Sequence, residues 1–193
     1  MQEISERIAA ALARYDSDND LGALFDTLRA LVTWAPLDDV LTAVEPYRDR
    51  VEVVIPVYEQ IVAQRPRDAR ALVVLANAYW LSGRGPDVVG ELAIRARDSD
   101  PANRGAWHLW ALAEPNARGR VERWQQVSAR FPDDQLARAA LADNAASLAG
   151  AEHDSLALDL AIRTYEELWS ESPTPTQRRA LEETLDALRS WKL

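Results

Sequence analysis

The sequence predicts an all-α fold, and three observations carry that prediction. Apolar residues recur at three- and four-residue spacing through nearly every segment, on a background rich in Ala, Leu, Arg and Glu, which is the signature of amphipathic helices. No segment shows the two-residue alternation of a strand. The one β-branched run, Val51–Val57, contains Pro56 and is continued at helical spacing by Tyr58, Ile61 and Val62, so it reads as helix. Turn signals cut the pattern at short intervals, leaving helices of about 10–15 residues of the kind that form helical hairpins.

Taken in order, residues 1–34 read as a helical pair broken at Asp16–Asp20. Beyond Ala35–Pro36 the chain runs to the next break at Pro66–Asp68, with the Val51 run in its second half. Ala69–Ser82 carries Leu72, Leu75, Ala76, Tyr79 and Trp80 as its apolar set and stops at Gly83–Pro86. Further helices lie between the breaks at Asp98–Asn103, Pro115–Gly119, Pro132–Asp134 and Gly150–Ser155. In Leu156–Trp169 the apolar set is Leu160, Ala161, Tyr165 and Leu168, opposite a polar face at Glu166–Glu167. After Ser172–Pro175, the residues Thr174, Pro175 and Gln177 form a capping-box arrangement with Pro in the first turn. That signal opens a final helix to about Trp191, for about eleven helices in all.

The length of 193 residues suits one domain or one short repeat array with a real core. With 48% apolar and 27% charged residues the composition is ordinary for a soluble globular chain. No apolar run approaches the roughly 18 residues of a membrane span, and the start, MQEISERIAAALARYDSD, lacks the basic and apolar regions of a signal peptide. Zero Cys removes disulfides, thiolate zinc sites and cysteine nucleophiles together, and fits a reducing cytoplasm. The net charge of −9 is concentrated at the ends: 5 bases and 10 acids in residues 1–50, 12 of each in 51–150, and 5 and 9 in 151–193. Nucleic-acid binding rests on counterion release by a basic face, and this chain has none. Its nearest approach is Arg104, Arg118, Arg120 and Arg123 interleaved with Trp107, Trp110 and Trp124, which reads as a solvated helix face. Lys occurs once against 21 Arg, a skew of the kind a GC-rich genome imposes.

An internal repeat is the most informative feature. YEQIVAQRP at 58–66, LAIRARDSDP at 92–101, WQQVSARFP at 124–132 and YEELWSESP at 165–173 end alike, with prolines 35, 31 and 41 residues apart. Aligned on these prolines, LANAYWLSG and LADNAASLAG also match. The pattern resembles the tetratricopeptide (TPR) family, in which W-x₂-L-G-x₂-Y is followed by A-x₃-F and then P. Leu72, Leu75, Ala76 and Tyr79 match its first helix, as do Trp107, Trp110 and Ala111. Ala161, Tyr165, Leu168 and Pro173 match its second, as do Val54, Tyr58, Ile61 and Pro66. The resemblance implies a right-handed α-α superhelix, a solenoid of antiparallel helical hairpins in one continuous domain. Its repeats would be 35–68, 69–103, 104–134 and 135–175, with 1–34 as an N-terminal cap and 176–193 as a C-terminal capping helix. Departures fall at Arg120, where a small residue belongs, at the extra residues around Gly150–Ser155, and at Thr42 and Glu45. Small Ala76, Ala111, Ala142 and Ala161 would permit close helix approach, with Tyr79, Trp124, Tyr165 and Trp169 filling space between pairs.

Catalytic chemistry is not signalled. The two histidines, His108 and His153, lie far apart, so no two-His metal helix forms. His153-Asp154-Ser155 names the residue types of a hydrolase triad, but neighbours in sequence cannot align as nucleophile, base and orienter, and Asp154 or Ser155 reads as a helix N-cap. Glu166–Glu167 and Glu182–Glu183 read as solvated helix surface. No phosphate-cradling motif occurs, and GRGP at 83–86 is a turn. The seven Trp at helical spacing read as core. The expectation is a chain that is not an enzyme and needs no cofactor and no metal.

In the family, the first helix of each pair lines a concave face. By that resemblance the groove positions are Arg70, Val73, Asn77 and Trp80, then Gly105, His108 and Leu112, then Leu136, Ala139 and Asp143. Some TPR proteins grip acidic C-terminal tails through Lys, Arg and Asn. Here only Asn77 matches that set, Val73 stands where its first Lys would be, and Asp39 and Asp143 would repel an anion. The expected partner is a protein or peptide segment, apolar with at most a modest positive charge, anchored near Trp80; no nucleic acid and no membrane span are expected. Two function classes follow: an adaptor or assembly scaffold, or a ligand-sensing or self-associating subunit of a larger complex. The mixed polar and apolar groove favours the first.

Overall fold

A computed structural model describes residues 2–192. Among them the chain forms eleven α-helices, one short 3-10 turn and no strand. The chain divides into one compact unit running to Leu109 and a second beginning at Trp110.

The first unit opens with α1 (Gln2–Asp18) and α2 (Leu21–Trp34), followed by α3 (Leu37–Val44), a 3-10 turn (Glu45–Tyr47) and α4 (Val51–Gln64). Helix α1 packs on α2 and α3 through Ile4, Ile8 and Leu12, and α2 packs on α3 and α4 through Leu24, Leu28, Leu31 and Val32. The ambiguous β-branched run is helical, and its six residues Val53 to Tyr58 are all buried. Pro56 removes one backbone donor from this helix and crowds the preceding turn. Burial of the flanking Val53, Val54, Ile55 and Val57, each worth about 1.5–3 kcal/mol, outweighs that cost of about 3 kcal/mol.

Helix α5 (Ala69–Leu81) starts where Asp68 Oδ1 accepts from the Ala71 N–H at 3.0 Å. It ends in a six-to-one and five-to-two pair of bonds, Arg84 N–H to Tyr79 O at 2.9 Å and Gly83 N–H to Trp80 O at 3.1 Å. That pairing needs a left-handed residue just past the helix, and Gly83 supplies it at φ 75°. Helix α6 (Pro86–Ser99) then returns along α5 with Pro86 in its first turn. The N-terminal turns of α7 (Arg104–Leu112) complete this unit.

The second unit takes the end of α7 and then α8 (Ala117–Arg130), α9 (Gln135–Glu152), α10 (Ser155–Glu171) and α11 (Pro175–Arg189). Consecutive helices from α8 to α11 pack on one another, and α9 between α8 and α10 is lined with alanines: Ala137, Ala142, Ala145 and Ala149 are fully buried. Trp110 and Trp124 are buried core residues of this unit. Side-chain oxygens cap these four helix starts: Asn116 for α8, Asp134 for α9, Asp154 for α10 and Thr174 for α11. Thr174 accepts from the Gln177 N–H at 3.3 Å, but the return bond of a capping box is absent, because the Gln177 amide oxygen instead accepts from the Thr174 hydroxyl at 3.0 Å. Arg120 replaces the small residue of the repeat pattern and acts as a C-terminal clasp for α7. It donates to Glu114 O and to Asn144 Oδ1, both at 2.9 Å, while Arg123 donates to Trp110 O at 2.7 Å.

The expectation that the tryptophans form the core holds for Trp110 and Trp124 and fails for Trp34, Trp80, Trp169 and Trp191, which are exposed. Trp169 does not fill the space between pairs as expected; it lies at the edge of the α10–α11 seam, its N–H donating to Glu182 Oε1 at 3.1 Å. No helix among the described residues is long and apolar enough to cross a membrane.

Candidate partner-binding face

Helix α5 divides its residues between two faces. Leu72, Leu75, Ala76 and Tyr79 are buried against α4 and α6. At offsets of three and four residues on the other side lie Arg70, Val73, Asn77 and Trp80, within one quarter of the helix circumference. Arg70 and Asn77 are exposed, Val73 is half-buried, and Trp80 keeps 37% of its surface in solvent. The indole is therefore a surface residue. Gly105 in α7 gives Val73 its cover: a methyl group there would stand 3.0 Å from Val73 Cγ1. His108 follows one turn later on α7, half-buried.

The buried side of α5 is fastened by a charged cluster. The Tyr79 hydroxyl donates to Glu59 Oε1 at 2.8 Å, and Glu59 also takes Arg29 of α2 at 3.1 Å and Arg84 at 3.4 Å. The Arg84 guanidinium lies 4.0 Å from the Tyr79 ring centroid. Burial, followed by the hydrogen bond to Glu59, pushes the Tyr79 hydroxyl up to about 12. This cluster ties α2, α4, α5 and the Gly83 turn together.

Beside Arg70 the first unit also holds a cleft of about 380 Å³, lined by Leu41, Thr42, Glu45, Arg48, Tyr58, Asp68, Arg70 and Ala71. Of the expected groove positions only Arg70 lines this cleft. The departures at Thr42 and Glu45, polar residues in place of small and aromatic ones, were the available signal, since side chains that leave the core open space beside it. Burial pushes the Tyr58 hydroxyl up, opposed by Arg48.

The remaining sequence-predicted positions fall in the second unit. Leu112 is half-buried near the end of α7, Leu136 is exposed, Ala139 is half-buried and Asp143 is exposed on α9. Asp143 has a structural partner, because the Tyr165 hydroxyl of α10 donates to it. Burial and that carboxylate push the Tyr165 hydroxyl above its ordinary range. The structure thus brings Arg70, Val73, Asn77, Trp80, Gly105 and His108 together in one unit and leaves Leu112 and Asp143 in the other.

His153 and Asp154 occupy the α9–α10 turn as structural residues. His153 takes the left-handed conformation at φ 54°, and Asp154 accepts from the Leu156 and Ala157 N–H groups at 3.0 Å each. Those backbone bonds, helped by Arg118 at 2.9 Å, hold the Asp154 carboxyl below its ordinary range. No cluster of metal-ligating side chains occurs among the described residues. Arg118, Arg120 and Arg123 of the tryptophan-interleaved basic run are spent on Glu152, Asp154, Asn144 and Glu114.

No family model and no curated protein matches the chain. Solved structures do. A thermophilic TPR protein from Thermus thermophilus (TTC0263) is similar over 97% of this chain and 100% of its own, with a TM-score of 0.58 at 16% identity. The MamA protein is similar over 90% of this chain and 98% of its own, with a TM-score of 0.53 at 11% identity. The fold is a TPR-like all-α helical repeat.

Proposed function

From this TPR-like fold we propose that the chain is a non-catalytic protein-interaction module, an adaptor or assembly scaffold that holds a peptide or partner helix on the α5 face. Its repeats are read as 35–68, 69–103, 104–134 and 135–175, with 1–34 and 176–193 as caps. The observation that carries the reading is the solvent exposure of Trp80 beside half-buried Val73 and exposed Asn77. An aromatic anchor flanked by an amide and an aliphatic group is the composition of an interaction hot spot. Arg70 and His108 are the further contact residues of this proposal.

The test is capture from the source lysate by the immobilised chain and by Trp80→Ala, with mass spectrometry of bound proteins and circular dichroism of both baits. The expected result is a partner lost from the variant, a weakening of about 2 kcal/mol or more, with helicity kept. A variant that unfolds, or one that retains every partner, refutes the assignment. Ligand sensing is a second reading, and the cleft beside Arg70 favours it. A thermal shift produced by a metabolite or nucleotide, and abolished by Arg48→Ala, would select it.

A further inference from the structure

The cleft beside Arg70 is walled by α3, the 3-10 turn, α4 and the start of α5, and hydrogen-bond donors in its lining outnumber the acceptors that meet them. Arg70 is exposed and makes no ion pair or hydrogen bond among the described residues. Arg48 pairs with Glu45 through its Nε at 2.8 Å, an exposed contact three residues apart of the kind that contributes little. A guanidinium carries five donors, so that pair leaves most of them available.

Tyr58 is the third donor. It is 3% exposed, yet its hydroxyl donates to no acceptor among the described residues. Arg48 and Arg70 both lie near enough to its oxygen to oppose the rise that burial imposes on it. A buried hydroxyl proton with no acceptor is costly, and an acceptor seated in the cleft would satisfy it. Asp68 is already committed, since its Oδ1 accepts from the Ala71 N–H and caps α5. Leu41 and Ala71 give the same cleft an apolar side.

We propose that this cleft binds a small organic acid as its monoanion, the carboxylate on Arg70, Arg48 and the Tyr58 hydroxyl and the apolar remainder against Leu41 and Ala71. The proposal rests on the ligand-sensing reading and names its ligand class. A guanidinium fork matches the two oxygens of a carboxylate. Glu45 and Asp68 line the cleft as well, so the second negative charge of a phosphate monoester meets like charge there. The place is distinct from the Val73, Asn77 and Trp80 face, because Arg48 follows the 3-10 turn and Tyr58 belongs to α4.

The probes are benzoate, its neutral isostere benzamide, and phenyl phosphate, each titrated into the ¹⁵N-labelled full chain by nuclear magnetic resonance. Benzoate should give saturable shifts of the Thr42, Tyr58 and Ala71 amides at about millimolar concentration, with benzamide and phenyl phosphate at least about tenfold weaker. Arg70→Gln and Tyr58→Phe should each weaken benzoate about tenfold, while Arg179→Gln, an exposed arginine of α11, leaves it unchanged. Tyr58→Phe should also leave the melting temperature of the free chain unchanged or raised, which a hydroxyl needed by the fold would not allow. Should Tyr58→Phe fail to fold, the exposed Arg70→Gln carries the test. Absence of saturable shifts at the cleft, tighter binding of phenyl phosphate, indifference to Arg70→Gln, or a melting temperature lowered by Tyr58→Phe overturns the proposal. Benzamide binding there as well as benzoate overturns it too, yet leaves the ligand-sensing reading standing, so the two fail separately.

Discussion

Tyr79→Phe removes a single oxygen from the cluster that ties α2, α4 and α5 together. Tyr79 is 7% exposed and its hydroxyl donates to Glu59 at 2.8 Å. A hydrogen bond to a charged acceptor contributes about 1.5–3 kcal/mol net. Glu59 keeps Arg29 and Arg84 after the substitution, so no acceptor is orphaned and the loss falls near the lower end, about 1.5 kcal/mol. For a chain of this size that lowers the melting temperature by roughly 3–6 °C. The ring, and its stacking with Arg84, remain.

The pH dependence gives a second readout of the same hydroxyl, through its burial first and its bond to Glu59 second. The ordinary tyrosine value is 10.0 and Tyr79 stands at about 12 in the folded chain. Above the ordinary value the unfolded chain releases this proton while the folded chain keeps it, so folding is penalised as pH rises. The contribution of Tyr79 is therefore complete below pH 10.0, and is lost as pH climbs through about 12. Urea titrations followed by circular dichroism at several pH values should show the wild-type advantage over Tyr79→Phe at neutral pH, and shrinking in that alkaline window. A neutral-pH difference below about 0.5 kcal/mol, or one constant across the window, refutes the reasoning. In a double-mutant cycle with Glu59→Gln, additive effects would do the same.

Gly105→Ala puts a methyl group 3.0 Å from Val73 Cγ1, and overpacking should cost about 1 kcal/mol; chemical denaturation checks this, and Val73→Ala should relieve most of the loss. His153→Gly should stabilise the chain by about 0.5–1 kcal/mol, since the left-handed position after α9 then bears no side chain; an unchanged or lowered melting temperature contradicts it. The Asp154 carboxyl is held below the ordinary aspartate value of 3.8, so its contribution is present above that value and lost as pH falls through the lower folded one. Acid titration of Asp154→Asn should show a shallower loss of stability in that range than the wild type.

Helix existence was legible in the sequence because periodicity and caps are local properties. Ala69–Leu81 and Pro175–Arg189 lie within two residues of the expected limits, fixed by Asp68, Gly83 and Thr174. The Val51 run was legible for the same reason, since Tyr58, Ile61 and Val62 carry its helical spacing past Pro56. Which side of a helix faces a neighbour is a tertiary property and was read less well. Trp169 fits the core pattern by spacing, yet it is exposed at the edge of the α10–α11 seam, its N–H held by Glu182. Trp80 emerged from the repeat register, whereas the Tyr79–Glu59 bond beside it joins helices twenty residues apart and has no local signal. The cleft beside Arg70 is formed by α3, α4 and the start of α5, and no local pattern announces such a convergence.

The placement of the aromatic residues gives each unit its own optical label. Trp110 and Trp124 are buried in the second unit at 9% and 4% exposure, whereas in the first unit Trp34 and Trp80 face solvent and Trp107 is half-buried. The blue edge of the indole emission therefore belongs chiefly to the second unit. Four of the five tyrosines, Tyr15, Tyr47, Tyr58 and Tyr79, lie in the first unit, so tyrosinate absorbance reports chiefly on that one. A single unlabelled sample can be followed at two wavelengths as it unfolds. Coincident traces mean that the units melt together, and displaced traces give the stability of each.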